Sequence, residues 1–239
     1  MTPTMAELSR IYWVRHGEVE TAWRGKLYGA LDVPLSAAGR DQAAASAAVL
    51  SGVQLDQLWS STLERARFGA EAIAAAREPG SDPLEVRSDP AFVELDRGDW
   101  AGLSFEELDR REPGAFAAWR AAPEESRPPG GESLFDLAER VLAAVDRLAH
   151  ELDGGAAAVV AHGWVIRVIL STACGLPLRH CTRLKVVPAA ISAVDWPTHA
   201  RSDLEVRHPR RRQPGPYLAG VDLQDAGPQG RRWYQRPGG

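Results

Sequence analysis

Two short apolar runs, each leading into a histidine–glycine pair, constrain the fold of this chain more than any other feature. Residues 11–14 lead through Arg15 into His16, and residues 157–161 lead directly into His162. Both runs have the length and apolar character of buried strands. The strands of an open parallel sheet end at one edge, in the crevice where ligands bind. The two histidines are therefore expected side by side at that edge, although they lie far apart in the sequence.

Between and after these runs, strand patterns alternate with helical patterns. Further strands are predicted at 55–59, 84–86 and 186–194, with Pro188 marking a sheet edge or a strand start. Helices are predicted at 36–50, from 61 or 62 to about 77, at 133–152 and at 165–174, with short helical segments at 105–111 and 115–121. The predicted helix caps are Ser36, Ser61 or Thr62, and Ser133. Strands that alternate with helices indicate an α/β fold with a mostly parallel sheet.

Composition places the chain among globular proteins. Of its 239 residues, 44% are hydrophobic and 25% are charged, enough to bury a core without metals or disulfides. The net charge of -4 gives no overall attraction to nucleic acid or to an anionic membrane. No apolar run approaches the roughly 20 residues that span a bilayer, and the first residues do not resemble a secretory signal. A cytoplasmic protein without a membrane or nucleic-acid partner is therefore expected.

The chain has two cysteines, Cys174 and Cys181, without a C-x-x-C pattern. Two reduced thiols are the expected state of such residues in the cytoplasm. A disulfide or a metal-binding pair is the alternative.

The last part of the chain differs in composition from the rest. Residues 201–239 contain five prolines, six glycines and eight arginines against four acids. This composition is typical of loosely packed chain. We therefore expect one domain at residues 1–200, followed by a flexible or loosely packed extension at 201–239. Contact of the basic stretch 207–212 with a polyanion is the alternative role of the extension.

The residues around the two histidines suit phosphate chemistry. The neutral imidazole of His16 is a nucleophile that can form a covalent intermediate. Arg15 can donate to phosphoryl oxygens, as can Arg65, which lies in the first turn of a predicted helix where anions also bind. His162 can donate a hydrogen bond to the same group. Taken singly, either histidine can also be a structural residue at a strand end, and Arg65 can be a surface residue paired with a neighbouring acid.

A carboxylic acid beside a bound phosphate can protonate the leaving oxygen and later activate water. Three acids lie close together in the sequence, namely Glu94, Asp96 and Asp99. The residues alone do not decide among them.

The order of these residues resembles the histidine phosphatase superfamily, also called the phosphoglycerate mutase-like family. Five elements match in order across roughly residues 10–195. They are R-H-G-E at 15–18 with the D-x-P-L and G-x-x-Q-A that follow at 32–43, S-x-L-x-R-A at 61–66, E-x-x-x-G-x-W-x-G at 94–102, P-x-G-E-S at 129–133 and H-G at 162–163.

The resemblance implies a fold and a set of roles. The fold is a three-layer α/β/α arrangement with helices on both faces of the sheet. His16 would be the phosphorylated nucleophile and Glu94 the proton donor, with no metal and no organic cofactor. The other implied site residues are Arg15, Arg65 and His162 in the phosphate pocket, and Gly163, Lys26 and Tyr28 around the substrate.

The spacing of the motifs favours a phosphatase that acts on a small phosphorylated metabolite. The stretch from Glu94 to Ser133 is short, whereas mutases of the family carry an extra segment there. The loop at 25–32 is similar to that of α-ribazole phosphatase-like and broad-specificity members. A phosphoglycerate mutase and a catalytically silent module that binds a phospho-ligand are the alternatives, and a homodimer is left open.

Several positions around the expected substrate depart from the family pattern. Where the family often has Thr, Asn, Arg and Gln, this chain has Val19, Ala22, Lys26 and Tyr28. Arg97 stands where the family has an aromatic residue. It can add a second contact to an anion or form a surface ion pair with Asp99. These departures leave the identity of the substrate open.

Overall fold

A single mixed sheet organises the chain. The structure is a computed structural model that describes residues 8–77, 82–198 and 217–218. Its strands are β1 (Leu8–Arg15), β2 (Gln57–Ser60), β3 (Val86–Ser88), β4 (Ala156–Ala161), β5 (Ile191–Pro197) and β6 (Tyr217–Leu218). Their order across the sheet is β3-β2-β4-β1-β5-β6. β1, β2, β3 and β4 pair in parallel, whereas β5 is antiparallel to β1 and to β6. The predicted mostly parallel α/β sheet is confirmed.

The helices connect these strands and cover the sheet. They are α1 (Ala37–Leu50), α2 (Glu64–Ala75), α3 (Phe105–Arg111), α4 (Ala115–Ala121), α5 (Leu134–Leu152) and α6 (Gly163–Ala173). Short 3-10 turns occur at Thr21–Trp23, Pro90–Phe92, Gly98–Trp100 and Leu178–Arg183.

Successive side chains of the central strands point to opposite faces and thereby define two cores. Ile11 and Trp13 of β1 pack with α5 and α6 on one face. Val14 of β1 packs with α1 and α2 on the other face. Because both faces are covered, β4 is apolar throughout, and its residues 157–161 are fully buried. The expected three-layer arrangement is confirmed.

The long helix α5 forms as its sequence predicts. The hydroxyl of Ser133 accepts the N–H of Asp136 at 3.2 Å, and the Asp136 carboxylate accepts the N–H of Ser133 at 2.8 Å. This capping box satisfies backbone donors at the helix start. The apolar stripe of α5, which includes Leu137, Val141 and Leu148, is buried against the sheet.

The start of α2 differs from the prediction. The helix begins at Glu64, and its N-cap residue, Leu63, provides no side-chain cap. Neither Ser61 nor Thr62, the two predicted caps, is therefore the N-cap residue, and the hydroxyl of Ser61 instead lies 2.8 Å from the Nε2 atom of His162. The serine is therefore used by the histidine cluster and not by the helix.

The last long strand begins later in the chain than predicted. β5 covers Ile191–Pro197, so Pro188 lies before the strand and marks neither its edge nor its start. Ala189 has a positive φ of 59°, a conformation that breaks an extended strand. The preceding residues therefore form a loop at the same end of the sheet as the two histidines.

The expectation of a loosely packed extension at 201–239 lies outside the described residues, apart from β6, which pairs with residues 194 and 195 of β5. In the described part of the chain, no helix is both long enough and apolar enough to cross a membrane. Cys174 and Cys181 are free thiols, so the disulfide alternative is wrong. Burial raises the pKa of the Cys181 thiol to about 11.

Candidate active site

The carboxyl ends of β1 and β4 bring the two histidines together. Arg15 pairs with Ala161 in the parallel register, and the N–H of His16 donates to the carbonyl of Ala161 at 3.0 Å. His16 and His162 follow these paired residues, and their ring centres are 5.1 Å apart. The expected juxtaposition of the two histidines is observed.

His16 is held with one ring nitrogen free. Its Nδ1 lies 2.7 Å from the carbonyl oxygen of Gly17, which can only accept, so Nδ1 carries the proton and Nε2 does not. The ring is almost fully buried. Burial, followed by the charges of Arg65 and Arg15, lowers the pKa of His16 well below 6.5. The imidazole is therefore neutral at pH 7, as a nucleophile must be.

The loop that carries His16 lies unusually close to the start of α1. A Cβ atom on Gly17 would overlap the carbonyl oxygen of Gly39, and one on Gly39 would overlap the carbonyl oxygen of Glu18. Only glycine fits at either position without moving the backbone. The Gln42 side chain, one turn further along, accepts the N–H of Glu18 at 2.9 Å. These contacts fix the backbone around His16.

His162 presents a buried ring nitrogen with no partner. Its Nε2 lies 2.8 Å from the hydroxyl of Ser61, which also accepts the N–H of Leu63 at 3.3 Å. The Ser61 proton is thus available for Nε2, which favours the tautomer with the ring proton on Nδ1. That Nδ1 is buried and unpartnered. Burial, with the charge of Arg65, lowers the pKa of His162 well below 6.5.

Arg15 and Arg65 lie beside the histidines and are anchored by backbone carbonyls. Arg15 Nη1 donates to Val186 at 2.6 Å. Arg65, which is 1% exposed, donates from Nη1 to Leu31 at 2.6 Å and from Nη2 to Gly29 at 2.8 Å. The surface ion pair considered for Arg65 is therefore wrong. Burial lowers the pKa of its guanidinium below the usual value for arginine.

Both arginines keep one donor without a partner. The Nε atoms of Arg15 and Arg65 are buried and make no hydrogen bond within the described part of the chain, like Nδ1 of His162. Buried polar atoms are normally hydrogen-bonded, and an orphaned donor needs an explanation. Three such donors around one nucleophile form a site for an oxyanion, since charged donors bind such groups strongly.

Tyr28 and Lys26, which were predicted to lie around the substrate, have different surroundings in the structure. The ring of Tyr28 lies under Arg65, with 5.3 Å between its centre and the guanidinium carbon. Lys26 instead lies over the ring of Trp23, at 5.6 Å, and its backbone bridges to Ser104. The structure thus brings Tyr28 into the cluster and gives Lys26 no contact with the histidines.

Glu94 is the acid that reaches the cluster. Its Oε1 accepts the N–H of Leu95 at 2.9 Å and that of Trp164, in the first turn of α6, at 3.1 Å. It is 6% exposed. The Asp96 carboxylate accepts the N–H of Gly98 at 2.9 Å in the following turn, and Asp99 is exposed. Of the three acids, Glu94 is therefore the one that lies at the start of α6, close enough to act on Arg65.

An ion pair that the sequence analysis missed supports the segment carrying Glu94. Arg140 of α5 donates from Nε and Nη2 to the two oxygens of Glu132, at 2.7 and 2.8 Å. Its Nη1 also donates to the carbonyls of Ala91 and Val93, both at 2.8 Å. Glu132 belongs to the P-x-G-E-S element, but no signal in a single sequence connects it to an arginine two turns into the next helix.

Arg97 is buried beside Glu94 and forms no ion pair with Asp99. Its guanidinium lies against the rings of Trp119 and Trp164. Burial lowers the pKa of Arg97 to about 10. The surface ion pair considered for this residue is therefore wrong.

The chain matches known proteins in sequence and in fold. The pattern of the histidine phosphatase superfamily (branch 1) matches residues 11–206. The chain is 36% identical over 203 residues to a glucosyl-3-phosphoglycerate phosphatase of Mycolicibacterium vanbaalenii, covering 81% of this chain and 86% of that protein. It is 37% identical over 171 residues to phosphoglycerate mutase-like protein 4 of Arabidopsis thaliana, covering 70% and 72%. The solved structure of a mycobacterial glucosyl-3-phosphoglycerate phosphatase with VO3 superposes with a TM-score of 0.67 at 32% identity, over 77% of this chain and 92% of that one.

Proposed function

The chain belongs to the histidine phosphatase superfamily and is a phosphatase, and we propose that it hydrolyses monoesters of small molecules through a phosphohistidine on His16. The observation that carries the proposal is the Nε2 of His16, a neutral nucleophile beside three buried donors that have no partner among the described residues. The relative solved with VO3, an oxyanion, is consistent with an anion in this pocket.

The first step transfers the phosphoryl group to the enzyme. Nε2 of His16 attacks the phosphorus, and the bond to the leaving oxygen breaks. Arg15, Arg65 and His162 hold the three peripheral oxygens, whose charge must be stabilised throughout. Glu94 in its acid form gives its proton to the leaving oxygen, and the alcohol departs.

The second step returns the enzyme to its starting state. The Glu94 carboxylate takes a proton from water while the water oxygen attacks the phosphorus. The phosphorus–nitrogen bond breaks, His16 becomes neutral again, and inorganic phosphate leaves. The two steps together consume one ester and one water, and Glu94 regains its proton.

The proposal also concerns the use of a metal, the location of the protein and the kind of substrate. The positive charge that the phosphoryl group needs is provided by guanidinium groups, so the proposed mechanism uses no metal. The two free thiols support a cytoplasmic location, and the net charge of -4 favours a small phosphorylated molecule over a nucleic acid as substrate.

Replacement of the nucleophile tests the proposal. His16→Ala is expected to abolish phosphate release from p-nitrophenyl phosphate and from a panel of phosphorylated metabolites, because no other group takes up the phosphoryl. Rapid acid-free quenching with radiolabelled substrate is expected to trap label on wild-type protein and none on the variant. His180→Ala, a histidine in the 178–183 turn outside the cluster, is the control and is expected to keep activity.

Three outcomes would contradict the proposal. Near-normal activity in His16→Ala would exclude the phosphohistidine. Isomerised phosphoglycerate without free phosphate would indicate a mutase. Tight binding of phosphate esters with no turnover by wild-type protein would indicate a binding module.

A further inference from the structure

Arg97 is a buried cation without a partner of its own. It is 4% exposed, and its guanidinium carbon lies 4.6 Å from the ring centre of Trp119 and 5.3 Å from that of Trp164. Among the residues that the structure describes, its side chain forms no hydrogen bond and no ion pair, and its Nη1 is buried without a partner. Burial of a charge is costly unless the charge is paired and hydrogen-bonded. An anion is therefore expected at this guanidinium.

The position of Arg97 is fixed next to the phosphate pocket. Gly29, whose carbonyl anchors Arg65, also packs closely against Arg97. A Cβ atom on Gly29 would lie 2.7 Å from Cγ of Arg97. On the other side, the ring of Trp164 contacts Arg97 while its backbone N–H donates to Glu94. Arg97 thus lies between the loop that holds Arg65 and the helix start that holds the proposed acid.

The charges around Glu94 do not balance. Burial lowers the pKa of three guanidinium groups, those of Arg65, Arg97 and Arg167, and the nearby Glu94 carboxylate opposes this shift in each. Arg167 lies over Trp164 at 5.1 Å. A phosphoryl group bound at His16 engages Arg15 and Arg65, which leaves Glu94 to face the two cations Arg97 and Arg167. Glu94 is neutral while it holds the proton for the leaving oxygen, so it cannot then compensate either charge.

We infer that Arg97, with Arg167 beside it, binds a second anionic group of the substrate, distinct from the phosphoryl group that is transferred. This inference rests on the proposed function and narrows its substrate class to phosphate monoesters that carry another anion. A planar guanidinium recognises a carboxylate or a phosphate through paired hydrogen bonds, and the experiment separates these two sources. The two tryptophan rings exclude water from one side of the contact and thereby strengthen it.

A matched substrate series tests the inference. Alkyl phosphates of three and of six carbons are compared with a hydroxyl, a carboxylate or a second phosphate at the far end. The quantity measured is kcat/KM for each anionic ester divided by that for the hydroxyl ester of the same length. We expect wild-type protein to prefer at least one anionic ester, and Arg97→Gln to lower that preference about tenfold to a hundredfold, mainly through KM.

Two further variants separate binding from support of the fold. Arg97→Lys keeps the charge and is expected to restore part of the preference. Arg87→Gln removes an arginine that also lies over a tryptophan, Trp59, at 5.6 Å, but on β3. This control is expected to keep the full preference. A purely structural role of Arg97 would lower activity on all esters alike and leave the ratio unchanged.

The outcomes also distinguish this inference from the proposed function. Equal kcat/KM for all three end groups, or an unchanged ratio in Arg97→Gln, overturns the inference while the phosphatase activity remains. If no ester is hydrolysed, the proposed function fails, and calorimetric titration of the same series into His16→Ala protein decides the inference. In that titration, the inference is overturned if adding Arg97→Gln to the His16→Ala protein does not weaken its affinity for the anionic esters.

Discussion

At the scale of single residues, hydrogen bonds determine which atoms of the site remain available. The carbonyl of Gly17 fixes the proton of His16 on Nδ1 and so leaves Nε2 for the phosphorus. The carboxylate of Glu94 accepts two backbone N–H groups and is thereby oriented at the start of α6. An oriented acid contributes typically a hundredfold to ten-thousandfold to a rate.

The role of Glu94 predicts a dependence on the leaving group. Glu94→Gln is expected to lower kcat for an alkyl phosphate about a hundredfold to ten-thousandfold, because a strongly basic alkoxide needs the proton. With p-nitrophenyl phosphate, whose leaving group needs no acid, the first step is expected to remain fast. Pre-steady-state measurement is then expected to show a burst of nitrophenol followed by slow turnover. Asp99→Asn is the control, and equal effects of the two substitutions would contradict the assignment.

The position of a single residue in the site could be predicted where a sequence motif determines it. It could not be predicted where packing between distant parts of the chain determines it. His16 and His162 follow strands, so their convergence was expected from the topology. The place of Arg15 and Arg65 in the same pocket was expected from the family motifs. Arg97 was ambiguous, because its burial depends on aromatic rings from α4 and α6. Such long-range packing leaves no mark in local spacing.

At the scale of elements, α5 links the packing of the core to the site. One face of this helix is buried against the sheet, while Arg140 reaches from it to Glu132 and to three carbonyls of the segment before Leu95. The helix therefore holds the backbone on which Glu94 is carried. The bounds of α3 and α4 agree with the predicted segments at 105–111 and 115–121, because caps and turns limit them locally.

The support by α5 predicts that kcat is sensitive to Arg140. Arg140→Met is expected to lower kcat at least tenfold with little change in KM, and to lower the free energy of unfolding by about 2 kcal/mol, because hydrogen bonds to charged groups are lost. Steady-state kinetics and urea unfolding measure the two effects. Arg147→Met removes an exposed arginine of the same helix that pairs with Asp89; it is the control and is expected to change neither. A change in KM without a decrease in kcat would contradict a positioning role.

At the scale of the whole molecule, the site is a buried region of positive charge in a chain of net charge -4. Two neutral histidines lie among arginines, and the pKa of each is lowered mainly by burial. Above about pH 6.5, these rings are neutral in the folded and the unfolded chain. Below it, the unfolded chain takes up protons that the folded protein does not, so stability decreases as the pH falls.

The resulting prediction concerns the pH dependence of unfolding. Between about pH 6.5 and pH 5, each of the two histidines is expected to lower the free energy of unfolding by up to about 1.4 kcal/mol per pH unit. Urea unfolding across this range measures the slope. The double variant His16→Gln with His162→Gln is expected to show a smaller slope, and His180→Gln the wild-type slope. Equal slopes in all three proteins would show that the buried histidines do not titrate as inferred.

The reversed direction of β5 has a consequence for how this protein can vary. Because β5 runs against β1, the chain enters it at the edge that carries His16, and the loop before it supplies the carbonyl of Val186 to Arg15. One wall of the pocket is thus made of irregular chain between two fixed elements. Insertions or exchanges in that loop can reshape the entrance without altering the register of any strand, so selection for a new ester can act on this segment.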